Sequence, residues 1–131
     1  MSDVTVDVDR FALGIERILD EVDRAVREVP EPAVAEGLKE GAKAWREGAP
    51  VRPGGGEYKK SIRWHLTKRG DNAAGEIGSP SMPGLPHLLE KGHARVGGGF
   101  VAARVHIAPA AEVAFDETMS AVERGIDEAL Q

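Results

Sequence analysis

Cysteine is absent from the 131 residues. That excludes a disulfide framework, a thiolate metal site and a cysteine nucleophile, and it gives no sign of oxidative folding outside the cell. Aromatic residues are scarce at 5%. No dense Lys/Arg run is interleaved with them, so the pattern of a dedicated nucleic-acid interface is missing. No apolar run approaches the roughly 20 residues needed to cross a bilayer, and the acidic start Met1-Ser2-Asp3 has none of the features of a secretory signal. A soluble protein folded in the cytoplasm, without a membrane partner, is expected. Catalytic signatures are lacking as well. Ser61, Ser79, Ser81 and Ser120 stand in no G-x-S-x-G context. The run Gly97-Gly98-Gly99 lacks the Lys-Ser/Thr pair of a phosphate loop, and a strand rather than a helix is expected after it.

What is present is one domain's worth of chain, residues 1–131, able to bury about two thirds of the surface its unfolded form exposes. Charge is segregated along it. Residues 1–50 carry 7 basic and 12 acidic side chains, residues 51–110 carry 9 and 4, and residues 111–131 carry 1 and 6, for net charges of −5, +5 and −5. Solvated helix faces around a basic sheet would produce this pattern. So would a molecule with faces of opposite potential, suited to head-to-tail contact between identical copies.

The spacing predicts a helical region over residues 1–50. Phe11, Ile15, Ile18, Leu19, Val22, Val26 and Val29 recur in steps of three and four, with Asp7 or Asp9 placed to cap the start. Pro30 and Pro32 interrupt the pattern, and a second helix is expected from Pro32 to about Gly48 on the stripe Val34, Leu38, Ala42 and Trp45. One kinked rod and a hairpin both fit. Residues 51–110 read as a sheet with long loops. After the flexible loop Val51–Glu57, Ile62, Trp64 and Leu66 alternate with polar neighbours as a half-buried strand, and Gly70-Asp71-Asn72 turns into a partner over about residues 73–78. An irregular crossover, SPSMPGLP, follows. Val101, Ala103, Val105 and Ile107 then alternate as a third strand. A C-terminal helix over residues 109–131 starts at Pro109, with Phe115, Met119, Val122, Ile126 and Leu130 expected to lie across the sheet. The fold class is α+β, a small antiparallel sheet of three to four strands covered by the N-terminal helices and the C-terminal helix. Arg63, His65, Arg104 and His106 would share its other face.

His87, Glu90 and His93, with His106 nearby, offer imidazole and carboxylate ligands of the kind zinc takes. Residues six apart on an α-helix point well away from each other, so surface or interface histidines are the alternative reading. The glycine-rich stretch Lys91–Phe100 has few apolar side chains to offset its ordering cost, on the order of 10–20 kcal/mol for ten residues. It is expected to order on docking against a neighbour, with Val96 and Phe100 as apolar contacts and Lys91, His93 and Arg95 as polar ones.

The run LPHLLEKGHARVGGG (residues 85–99), followed by VHIAPA (residues 105–110), resembles the signature of the tail-completion, or head–tail joining, proteins of long-tailed bacteriophages. The matching features are an apolar-Glu-x-Gly segment (Leu88 to Gly92), a glycine-containing loop and a run ending in Pro-Ala. GGGEYKKSI (Gly54 to Ile62) is similar to the family's approach to its first strand. Gly55 departs from a common threonine, and His106-Ile107 from a frequent Pro-Phe pair. The resemblance implies a small α+β subunit without catalytic residue, cofactor or metal, forming a ring, commonly sixfold, between capsid connector and tail tube in the virion. DNA would pass through the lumen without sequence-specific binding. On this reading the partner contacts are Glu90, Lys91, Gly92, His93, Arg95, Gly97, Gly98, Gly99 and Phe100, with Arg104 and His106 as second choices. A head–tail connector or tail-terminator subunit is the near alternative. A metal-dependent enzyme using His87, Glu90 and His93, and a nucleic-acid-binding module using the basic middle, are the alternatives of other classes.

Overall fold

The computed structural model describes residues 8–51 and 56–130. The caps expected at Asp7 or Asp9, the side chain of Phe11, and loop residues 52–55 with Gly55 lie outside what it describes. Helices α1 (Val8–Glu28) and α2 (Pro30–Gly48) are separated only by Val29, which keeps helical dihedrals of φ −76° and ψ −42°. The Val29 amide bonds the Ala25 carbonyl at 3.0 Å, and its own carbonyl accepts from the Ala33 amide at 3.3 Å. The two helices are therefore one kinked rod. Pro30 and Pro32 cause the kink, since each removes a donor from the ladder without stopping it. The second helix consequently starts two residues before the expected position.

A short helix, α3 (Glu57–Ser61), leads into strand β1 (Arg63–Arg69), which pairs antiparallel with β2 (Asn72–Gly78) around the two-residue turn Gly70-Asp71. Trp64 faces Ile77 and Leu66 faces Gly75 across this hairpin. That face lies on α2: Leu38 crowds Gly75, and Ile77 lies against Gly41. Arg63, His65, Thr67 and Arg69 point the other way and are exposed. Helix α4 (Leu85–Lys91) precedes a small second hairpin of β3 (His93–Ala94) and β4 (Phe100–Val101), and α5 (Ile107–Ala129) ends the described chain.

The α+β class with N- and C-terminal helices stands, but the four strands among the described residues form two separate two-stranded sheets. The strand expected over residues 101–107 shrinks to Phe100–Val101. The Arg104 amide donates to the Leu89 carbonyl at 2.7 Å, which ties this segment to the end of α4 rather than to a strand edge. Its far end enters α5 two residues before Pro109. His106 is thus not on an open sheet face beside Arg63 and His65; it is 3% exposed.

Helix α5 packs along α2 through small residues, not across the sheet through its large ones. A Cβ on Gly37 would fall 1.7 Å from Thr118 Oγ1, and one on Gly41 would fall 2.6 Å from the Ala114 Cβ. Ala110 and Ala121 are buried on the same side of α5. Phe115, Met119, Ile126 and Leu130 remain 66%, 45%, 40% and 45% exposed. The stripe of α1 is likewise uncovered at Ile15, Ile18, Leu19, Val22 and Val26, whereas Ala25 is buried. The core gathers where α2, α3 and the start of α5 meet, around Ala42, Trp45, Ala49, Tyr58, Ile62 and Ala110.

Candidate functional site

Glu90 sits on the last turn of α4 with both carboxylate oxygens turned to the start of α5. Its Oε1 accepts from the amides of His106 (2.8 Å) and Ile107 (2.9 Å), and Oε2 accepts from Ala108 (3.0 Å). These are amides that a helix N-terminus leaves without intrahelical partners, and no side chain of α5 itself caps them. A carboxylate from sixteen residues upstream does so, where the helix dipole also favours negative charge. Burial pushes the Glu90 carboxyl up. The three amides and the neighbouring His106 ring outweigh it and hold the group below the usual carboxylate range.

His106 extends the arrangement into the core. Its Nδ1 lies 2.7 Å from the Arg104 carbonyl and 3.3 Å from Glu90 Oε1, and its Nε2 lies 2.6 Å from the Tyr58 hydroxyl. Trp45 Nε1 donates to the same hydroxyl at 2.9 Å. The geometry fits a single donor order: Trp45 donates to Tyr58, Tyr58 donates to Nε2, and Nδ1 faces acceptors only. Burial, chiefly, raises the Tyr58 pKa, the Glu90 charge adding to it and the Trp45 bond opposing it, so the phenol keeps its proton. The chain Trp45–Tyr58–His106–Glu90 thereby locks α2, α3, α4 and α5 at one junction. Ser61 and Ser79, weighed in the sequence only as nucleophiles, bond each other at 2.6 Å and pin α3 to the segment after β2.

Beyond this lock the chain leaves the body. Gly92 has φ +75°, and a Cβ there would lie 2.6 Å from the Val101 carbonyl oxygen, so only glycine fits the step from α4 into β3. Gly97, Gly98 and Gly99 all have φ between +88° and +116° and form the tip, closed by a 2.9 Å bond from the Arg95 amide to the Gly99 carbonyl. Val96 is fully exposed, and Phe100 and Val105 are 64% and 62% exposed.

Of the residues nominated from the sequence, the structure brings Arg95, Phe100 and the three tip glycines to the surface of one hairpin, with Lys91 exposed at the end of α4 beside it and His93 half-buried at its base. Arg104 is exposed beside it, while Glu90 and His106 are committed inside the subunit. Among the described residues no group of three or more His, Asp or Glu side chains converges as a metal site, and His87, Glu90 and His93 are not brought together. Sequence reasoning missed Trp45 and Tyr58 as partners of His106. Tyr58 stood in the quoted GGGEYKKSI motif, but nothing local links it to a histidine 48 positions on.

No curated protein and no solved structure matches the chain. A family model described as "Bacteriophage HK97-gp10, putative tail-component" matches residues 14–92. The matched span closes at Gly92, just past the Glu90 clamp, and leaves the hairpin and α5 beyond it. With well over half of its length covered, the chain belongs to the HK97-gp10-like family.

Proposed function

We propose that this protein is a ring-forming neck subunit, a tail-completion protein that joins the capsid connector to the tail tube, with DNA passing through the ring. Membership of a phage tail-component family makes it a virion-associated structural protein. The carrying observation is the β3–β4 hairpin, which presents Val96 wholly and Phe100 largely to solvent on a base fixed by the Glu90 lock. Apolar side chains presented in this way gain by burial against a neighbour, about 1.5–3 kcal/mol for each large one. Lys91 and Arg95 beside them supply polar contacts that set register. The arrangement supports binding, and among the described residues it contains no assembled nucleophile, base and substrate cleft.

Electron microscopy of particles assembled with and without the protein tests this. The expected result is a ring of density at the head–tail junction in its presence, and separate filled heads and free tails in its absence. Intact joined particles assembling without it would refute the reading.

A further inference from the structure

The charge segregation seen along the chain acquires a place in the fold. On α5, Glu112, Asp116, Glu123 and Asp127 fall within about 60° of one another, opposite the small residues that meet α2. All four are exposed, and among the described residues none is in an ion pair. They form an acidic ridge, flanked on one side by the uncovered Met119 and Ile126. On the β1–β2 hairpin, Arg63, His65 and Arg69 occupy the face turned away from α2, with Lys59 and Lys60 of α3 adding charge at the Arg63 end. Glu76, opposite His65, is an acid on that face, and Asp71 lies in the turn beyond Arg69. No ion pair engages these basic side chains among the described residues.

We infer that the acidic ridge of α5 docks on the basic outer face of the β1–β2 hairpin of a second copy of this chain. The inference builds on the ring reading by naming the two faces that meet. Lengths agree. Arg63 to Arg69 spans about 20 Å of strand, and Glu112 to Asp127 spans about 22 Å of helix. Two acidic pairs, Glu112 with Asp116 and Glu123 with Asp127, thus face cationic groups at both ends of the hairpin. The stems of the arginines can cover Met119 and Ile126.

Orientation permits this too. Gly37 meets α5, Leu38 meets β2 and Gly41 meets both, so α5 and the hairpin sit on adjoining sides of α2 and their outer faces are not diametrically opposed. Heterologous faces set at an angle can close a ring, whereas opposite faces would stack into a filament.

Sedimentation of the full chain over a range of concentrations and salt tests the pairing. Lys60→Glu with Arg69→Glu, and separately Asp116→Lys with Glu123→Lys, should each weaken low-salt self-association at least tenfold. The fourfold variant, with its charges exchanged, should recover to within about threefold of the wild type. Circular dichroism establishes that each variant is folded. Failure of the folded fourfold variant to recover, or absence of wild-type association, overturns the inference. So does duplex-DNA binding that only the basic-face pair abolishes while the acidic-face pair leaves association intact, which would make the hairpin a polyanion surface. A neck ring insensitive to all of these variants would overturn the pairing and leave the ring reading standing. Charge-dependent association of a protein absent from the neck would do the reverse.

Discussion

Glu90 does at a distance what a local cap does for most helices, and the cost of losing it follows from the number of amides it serves. Replacing it by alanine strands three donors at the start of α5 and removes the acceptor beside His106. Hydrogen bonds to a charged group are worth about 1.5–3 kcal/mol, so Glu90→Ala should cost at least about 2–3 kcal/mol in a urea titration. The pH dependence has a definite sign. A carboxyl whose folded pKa is depressed contributes stability that is present above its unfolded pKa and is lost as pH falls through the folded one. Glu90→Gln, which keeps the shape without the charge, should therefore be less stable than the wild type at pH 7. The gap should close as pH falls below about 4. A gap of the same size at pH 7 and pH 3 would mean that the charge contributes nothing.

At the scale of elements, the contact between α2 and α5 is set by residues too small to mark a core stripe. Gly37→Ala would ordinarily favour a helix by about 1 kcal/mol. Here the new methyl would meet Thr118 Oγ1 and, at 2.6 Å, the Ala114 carbonyl oxygen, and backbone cannot move aside cheaply. The substitution should destabilise, by about 1–3 kcal/mol, with α5 losing amide protection before α2. A stabilised variant would show that the helices are not in close contact. The same contact explains what the sequence could and could not disclose. The β1–β2 hairpin was legible because alternation and a Gly-Asp turn are local signals, and the end of α2 was legible from Gly48-Ala49-Pro50. The burial of α5 was not. Phe115, Met119 and Ile126 follow helical spacing as well as any core stripe, yet α2 presents Gly37 and Gly41, and small residues fit that approach. The alternation from Val101 to Ile107 was equally persuasive. It failed because Arg104 bonds the end of α4 and because Glu90 starts the next helix from afar, neither of which leaves a mark in neighbouring residues. Of the candidate site, the exposure of residues 95–100 was legible from their glycines, but their pairing as a β3–β4 hairpin within the subunit was not, since so glycine-rich a loop is expected to order only on docking; the inward role of Glu90 and His106 depended on partners distant in sequence.

For the whole molecule the consequence is a division of labour between a locked body and an exposed hairpin, and the two should respond separately to mutation. Val96→Ser with Phe100→Ala removes apolar groups that are largely in water within the lone subunit. The thermal midpoint of the isolated protein should change little, as surface substitutions away from caps and cores usually alter stability by no more than about 0.5 kcal/mol. Assembly should respond strongly if these groups are buried against a neighbour. A loss of about 2–3 kcal/mol at each interface is a loss of about 30- to 150-fold in pairwise affinity. If the protein closes into the proposed ring, that loss compounds around it, and joined particles should fall further than the pairwise figure. Amide exchange supplies the complementary measurement: the tip amides of Val96 and Gly97 should exchange faster than the bonded Arg95 amide in the isolated subunit and become protected in the assembled particle. Strong protection of those tip amides in a lone subunit, together with undiminished assembly by the double variant, would place the joining surface elsewhere on the molecule.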